Sequence, residues 1–199
     1  MKSSEFTRKP RKLVIFDIDD TLVHTQTKVK VIRDGEVVRE LNSHQFTHYK
    51  LAPGESFDFG AFRSAREFFH HSQPIVPMIK QLRDDIATGN RVAMVTARED
   101  FDDKEIFLKT FEKWNVDMNR VHVHRAGNLK GPEGIHDKKK IIIRKLLDSE
   151  DFTKAIMYDD SVPNLKSFLE LKQEYPDTSF YAWHVDQSGS THELARAKE

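Results

Sequence analysis

Residues 13–22 read LVIFDIDDTL. Four apolar residues lead directly into three acids, Asp17, Asp19 and Asp20, within four positions. A short, continuous apolar run that includes Val and Ile is expected to be a strand covered on both faces, as in a parallel sheet. At the end of such a strand, like charges repel and lose water, so cations or hydrogen-bond donors must compensate. Residues two apart in extended backbone point the same way, so Asp17 and Asp19 are expected to leave the strand toward one spot.

Runs of the same kind recur at Val92–Val95, Val121–Val123, Ala155–Met157 and Phe180–Trp183. Helical stripes lie between them. Ile75, Met78, Ile79, Leu82 and Ile86 form one, and Phe107, Phe111 and Trp114 a second. Ile142, Ile143, Leu146 and Leu147 form a third, and Leu165, Phe168 and Leu169 a fourth. Strands alternating with helices predict an α/β fold with a mostly parallel central sheet. Ligands in such sheets collect at the carboxyl ends of the strands.

One region breaks the alternation. Residues 24–73 separate the first strand from the first core helix. Within them KVKVIRDGEVVREL (28–41) alternates around Asp34-Gly35, a hairpin turn pair. An aromatic stretch follows, with Phe57, Phe59, Phe62, Phe68 and Phe69. The insert is read as a hairpin flap plus a helical piece, with these phenylalanines as its own small core. AGNLKGPEGIHD (126–137) reads as a loop. The expected organisation is a basic tail over 1–11, a core over 12–186 carrying the insert, and a polar tail over 187–199 with a frayed helix.

Composition narrows the options. Lys plus Arg and Asp plus Glu each number 32 in 199 residues, so no global field favours nucleic acid or an anionic membrane. Cysteine is absent, which excludes disulfides and thiolate catalysis and fits a reducing, cytoplasmic setting. No apolar run approaches the ~18 residues of a membrane span. Among ten histidines, His122 and His124 alternate on one strand and His44 and His48 lie close together, but no compact zinc-ligand set appears.

The acids of the first strand are not isolated in type. RVAMV ends in Thr96-Ala97-Arg98, and KAIM runs into Tyr158-Asp159-Asp160-Ser161. HDKKKIII opens a helix with Lys138, Lys139 and Lys140. All should face the carboxyl edge of one sheet. Clustered carboxylates need a cation, and hard oxygen ligands suit Mg²⁺. Hydroxyl, guanidinium and ammonium donors suit a phosphate. The combination describes phosphoryl-transfer chemistry.

FDIDDTL, VTAR, the lysine opening the third helix, and YDDS together resemble, in order, the four motifs of the haloacid dehalogenase superfamily. The resemblance spans about 12–185 and implies a Rossmann-like three-layer sandwich. It implies that Asp17 is the nucleophile, forming an aspartyl-phosphate, and that Asp19 is the general acid and base. An acid at that second position is similar to the phosphatase branches. Thr96, Ala97 and Arg98 would contact the phosphate with a lysine. Asp17, the Asp19 carbonyl and Asp160 would hold Mg²⁺, with Asp159 behind them on a metal-bound water. Successive helix positions are about 100° apart, so the three lysines cannot all face the site. Lys140, nineteen residues before Asp159, resembles the family spacing and is the expected active-site lysine. Asp20 stands where many relatives have Gly, and Asn164 where many have a second acid.

Arg98, the paired Asp159-Asp160 and the lack of a large helical cap look most similar to the phosphatase half of phage polynucleotide kinase-phosphatases. That resemblance implies removal of 3′-phosphates from nucleic acid ends. The 24–73 insert equally suits a lid over a nucleotide or other small phosphomonoester. Alternatively, Lys28, Lys30 and Arg33 would line a strand-binding groove. A phosphomutase and a non-catalytic phosphate-binding module are the rival functions.

Overall fold

In a computed structural model of the chain, residues 11–41, 45–46, 49–131 and 133–194 are described. Readings on most of the basic tail, on His44 and His48, and on the last five residues lie outside them. In chain order the elements are β1 (Lys12–Phe16), β2 (Val23–His24), β3 (Val29–Arg33), β4 (Glu36–Leu41), β5 (Glu55–Asp58), α1 (Gly60–Arg63), α2 (Ala65–His71) and β6 (Gln73–Pro74). Then follow α3 (Val76–Ala87), β7 (Arg91–Thr96), α4 (Lys104–Glu112), β8 (Val121–Arg125), α5 (Ile135–Leu147), β9 (Lys154–Asp159), α6 (Val162–Glu170), β10 (Ser179–Val185) and β11 (Thr191–Glu193).

The central sheet has six strands in the order β11-β10-β9-β1-β7-β8. All neighbours are parallel except β11 against β10. The apolar run of the opening stretch forms β1, flanked by β7 and β9. Its alternate residues face two cores. Val14 and Phe16 pack with Met78 and Leu82 of α3 and Phe107 and Phe111 of α4. Leu13 and Ile15 pack with Ile143 and Leu146 of α5 and Leu165 and Phe168 of α6. Helices therefore cover both faces, which is why these strands are apolar throughout. In register, Phe16 lies opposite Met94 and Tyr158, so β1, β7 and β9 end nearly level at one edge.

The insert is a three-stranded antiparallel sheet, β4-β3-β5, followed by two short helices. The β3–β4 turn is built as its residues dictate. Asp34 and Gly35 both take positive φ, +53° and +82°, the two-residue turn whose twist matches a hairpin. Strand β5 was not expected, because only four residues carry it within an aromatic-rich stretch. The aromatic residues also divide, correcting the reading of one insert core. Phe57 and Phe62 pack with Phe46 and Tyr49 on Val29, Val31 and Leu41. Phe68, on α2, enters the main core instead, with ring centroids 5.2 Å from Phe101 and 5.6 Å from Phe107. The sheet part thus has its own small core, while α2 belongs to the body.

The end of the chain needs a second correction. The polar segment after Gln187 is no helix in its described part. Asp186 accepts from the Ser188 and Ser190 N–H groups at 2.8 and 3.0 Å, and Gly189 takes φ +83°. This side-chain-stabilised turn returns the chain as β11. Among the described residues no helix is long and apolar enough to cross a membrane.

Candidate functional site

Asp17 follows β1 and continues its ladder, its N–H donating to the Tyr158 carbonyl at 2.9 Å. Its side chain is buried beneath α5. There Lys139, with a side chain only 2% exposed, donates to Asp17 Oδ1 at 2.6 Å and to Asp159 Oδ2 at 2.8 Å. Lys140 points elsewhere and pairs with Glu170 at 2.6 Å on the surface. The expectation of Lys140 is therefore corrected to Lys139. Helix phase explains it. Ile142, Ile143, Leu146 and Leu147 lie three, four, seven and eight residues after Lys139, so Lys139 shares their buried face. That phase was already legible in the sequence, and the motif spacing led away from it.

Asp159, at the end of β9, is wholly buried. Besides Lys139, the Ser161 N–H donates to its Oδ1 at 2.8 Å, and the Asn164 amide lies 3.0 and 3.1 Å from its two oxygens. Asn164 thus orients Asp159. Its role comes from the first turn of α6, which places it beside the strand end. Asp160 lies one residue on, and its backbone N–H donates to Thr21 Oγ1 at 3.0 Å. Thr21 is fully buried and ties the β9 loop to the β1 loop. Its role was not foreseen, and a buried hydroxyl beside three acids was the available signal.

Asp17, Asp159 and Asp160 each offer a carboxylate oxygen, all within 4.8 Å of one another. One lysine faces three acids there, and the imbalance appears in their titration. Burial, opposed by Lys139 and reinforced by Asp159 and Asp160, raises the Asp17 pKa well above the carboxylate range. Burial and the charges of Asp159 and Asp20 push Asp160 up to about 7. Burial opposes the charge on Lys139, but Asp159 and Asp17 outweigh it and keep it protonated. Excess negative charge in an oxygen-only donor set fits a bound cation, so the three acids could hold a metal ion.

Asp19 lines the same cavity as Asp17 but has a different partner. Arg98 holds it through two parallel bonds, Nε to Oδ2 at 2.8 Å and Nη2 to Oδ1 at 2.7 Å. The Thr25 hydroxyl donates to Oδ1 at 3.2 Å. Arg98, expected to contact a phosphate, is paired here with Asp19. Thr96, buried at the end of β7, accepts the Arg98 N–H at 3.1 Å, leaving its hydroxyl hydrogen able to donate. An open cavity of about 310 Å³ is lined by Asp17, Asp19, Asp20, Ala97, His136, Lys139, Asp160 and Asn164. Asp20 has a backbone reason for being where it is. Its φ is +57°, the left-handed region that Gly, Asn and Asp adopt most readily.

No protein-family model matches the chain, and no curated protein matches it.

The acid cluster makes a pH-dependent prediction. A carboxyl raised in the fold stabilises the metal-free protein at low pH, and that contribution is lost as pH rises through the folded pKa. For Asp160 this loss runs from its ordinary value of 3.8 up to its folded value of about 7, and is complete above it. A divalent cation replaces the missing protons, so the rise in melting temperature on adding Mg²⁺ should be larger at pH 8 than at pH 6. Thermal melts at both pH values measure it, and equal shifts would contradict the three-acid site.

Proposed function

We propose that this chain is a Mg²⁺-dependent phosphomonoester hydrolase of the haloacid dehalogenase superfamily, with a Rossmann-like core, acting through an aspartyl-phosphate. The observation that carries the reading is Asp17. It is a buried carboxylate at the end of the central strand, bridged to Asp159 by Lys139, with Asp160 in reach. Binding alone does not require a nucleophile so placed beside a separately held acid, Asp19.

In this reading an Asp17 oxygen attacks phosphorus while the bond to the leaving oxygen breaks, and Asp19 passes its proton to that oxygen. Asp19 then takes a proton from water as the water attacks phosphorus, which releases phosphate and frees Asp17. Lys139 keeps Asp17 aimed, and Thr96 donates to a phosphoryl oxygen. Asp17, the Asp19 carbonyl and Asp160 would hold Mg²⁺, which supplies positive charge against the phosphoryl oxygens when bound. Asn164 and Lys139 keep Asp159 fixed behind Asp160.

The test is a Mg²⁺-dependent phosphate-release screen over nucleoside monophosphates, sugar phosphates and oligonucleotides phosphorylated at 3′ or 5′ ends. Release from at least one class, abolished by chelation, is expected; 3′-phosphorylated ends would identify a polynucleotide 3′-phosphatase. Tight phosphate binding without turnover on any of them would reassign the chain as a binding module.

A further inference from the structure

Arg98 departs from the role its motif suggests. It is buried, and it lies two residues past the end of β7, next to Ala97, which lines the cavity. Three of its five N–H donors are already directed. Nε and Nη2 grip the two oxygens of Asp19, and Nη1 donates to the Phe62 carbonyl at 2.9 Å. Its guanidinium carbon lies 4.7 Å from the ring centre of Phe62, 5.0 Å from Phe68 and 5.3 Å from Phe101. Phe62 comes from α1 of the insert, Phe68 from α2, and Phe101 from the loop after β7.

The surroundings are fixed as firmly. The Asp102 N–H donates to the Arg63 carbonyl at 2.9 Å, and the Ala65 N–H donates to Asp102 Oδ1 at 2.8 Å. Arg63 and Glu99 pair across the same seam at 2.7 Å. The loop that carries Arg98 is thus stitched to the helical end of the insert. Two parallel bonds from a planar fork fix both the position and the rotation of a carboxylate, which a single ammonium cannot do.

We infer that Arg98 is a positioning residue for Asp19, coupling the insert to the proton donor, and that it does not bind the transferred phosphate. The inference rests on the phosphatase reading and gives it a specific consequence. Arg98 matters in proportion to how much the leaving oxygen needs a proton. An alkoxide must be protonated as it departs, whereas p-nitrophenolate leaves as the anion. A phosphate-binding arginine would act on both alike.

The experiment compares wild-type protein with Arg98→Met and Arg98→Lys on p-nitrophenyl phosphate and on glycerol phosphate, in Mg²⁺. Glycerol phosphate turnover by Arg98→Met should fall about 10²-fold or more, the usual range for losing an aligned general acid. The first-turnover burst of p-nitrophenol should stay within about threefold, since that step needs no proton donor. Inorganic phosphate should bind within about twofold of wild type, since no donor to it has been lost. Arg98→Lys should not rescue glycerol phosphate, because it keeps the charge but not the fork. Adding Arg98→Met to Asp19→Asn should slow glycerol phosphate no further, as expected for residues acting as one unit.

Equal losses on both esters, together with phosphate binding at least tenfold weaker, would overturn the inference. If Arg98→Met does not fold, as judged by circular dichroism, Arg98→Lys carries the same comparisons. Wild-type protein that cleaves neither ester and none of the nucleotides, sugar phosphates and oligonucleotides of the screen would refute the phosphatase reading, and phosphate affinity would still decide the part of Arg98. Wild-type protein that also binds no phosphate overturns both.

Discussion

Replacing Lys139 with methionine is expected to abolish phosphate release and to lower stability by about 3–5 kcal/mol, the range for breaking a buried ion pair by removing one partner. At roughly 2–4 °C per kcal/mol for a chain of this size, the melting temperature should fall by about 6–20 °C. The reason lies in the charge balance beneath α5. Lys139 is the cation that contacts both Asp17 and Asp159, and its side chain is almost fully shielded from water. Without it, two buried carboxylates face each other next to Asp160.

The loss should shrink at acidic pH, because Asp17 can then neutralise itself by taking a proton. Its pKa is already raised by burial with Lys139 present, and it rises further once the lysine is gone. Added Mg²⁺ should recover part of the stability for the same reason. Lys140→Met serves as the control. Its partner Glu170 is mostly exposed, and such surface pairs contribute about 0–1 kcal/mol. Thermal melts and phosphate release on both variants separate them. If Lys140→Met has the larger effect, the assignment from helix phase is wrong.

Asp17→Asn is the second large effect, and its two readouts should move in opposite directions. Turnover should drop by about 10⁴-fold or more, since an amide cannot form the aspartyl-phosphate and removal of a nucleophile is seldom compensated. Metal-free stability should hold or rise. The fold favours a neutral side chain here, through burial and the neighbouring Asp159 and Asp160, against the pull of Lys139. Asparagine is nearly isosteric, and its oxygen can still accept from Lys139. Active sites commonly trade stability for function in this way. Steady-state phosphate release and melting temperature in chelator test both arms. Wild-type turnover by this variant would remove Asp17 from its role, and a melting temperature lowered by more than a few degrees would contradict the charge argument.

Much of this architecture was legible before any coordinates. Each apolar run became a parallel strand; those in the middle of the sheet are apolar because both faces are buried, while edge strand β8 leaves His122 exposed. Asp34-Gly35 became the hairpin turn, because two successive positive φ values leave few residue choices. The acids and Thr96 did arrive at one edge, since parallel strands of similar length end together, and of the three lysines Lys139 joined them.

Asp20, the acid that motif reading left without a part, is accounted for by one backbone angle. Lys139 was recoverable from the helix stripe, whereas counting nineteen residues back from Asp159 stopped one residue short. The division of the phenylalanines could not be read, since neighbours only a few positions apart on the chain join different cores.

The sequence by itself therefore determined the strand–helix alternation, the edge where chemistry collects and the residue types gathered there. These follow from periodicity and from the cost of burying charge, which are local properties. Which cation meets which acid was decided only by the tertiary structure. Arg98 finds Asp19 across 79 positions and Lys139 finds Asp17 across 122. Such pairings depend on strand register and on the packing of α5 over β1. LVIFDIDDTL thus announces a site, and the fold gives each acid its own place: Asp17 to a lysine, Asp19 to an arginine, and Asp20 to a left-handed turn.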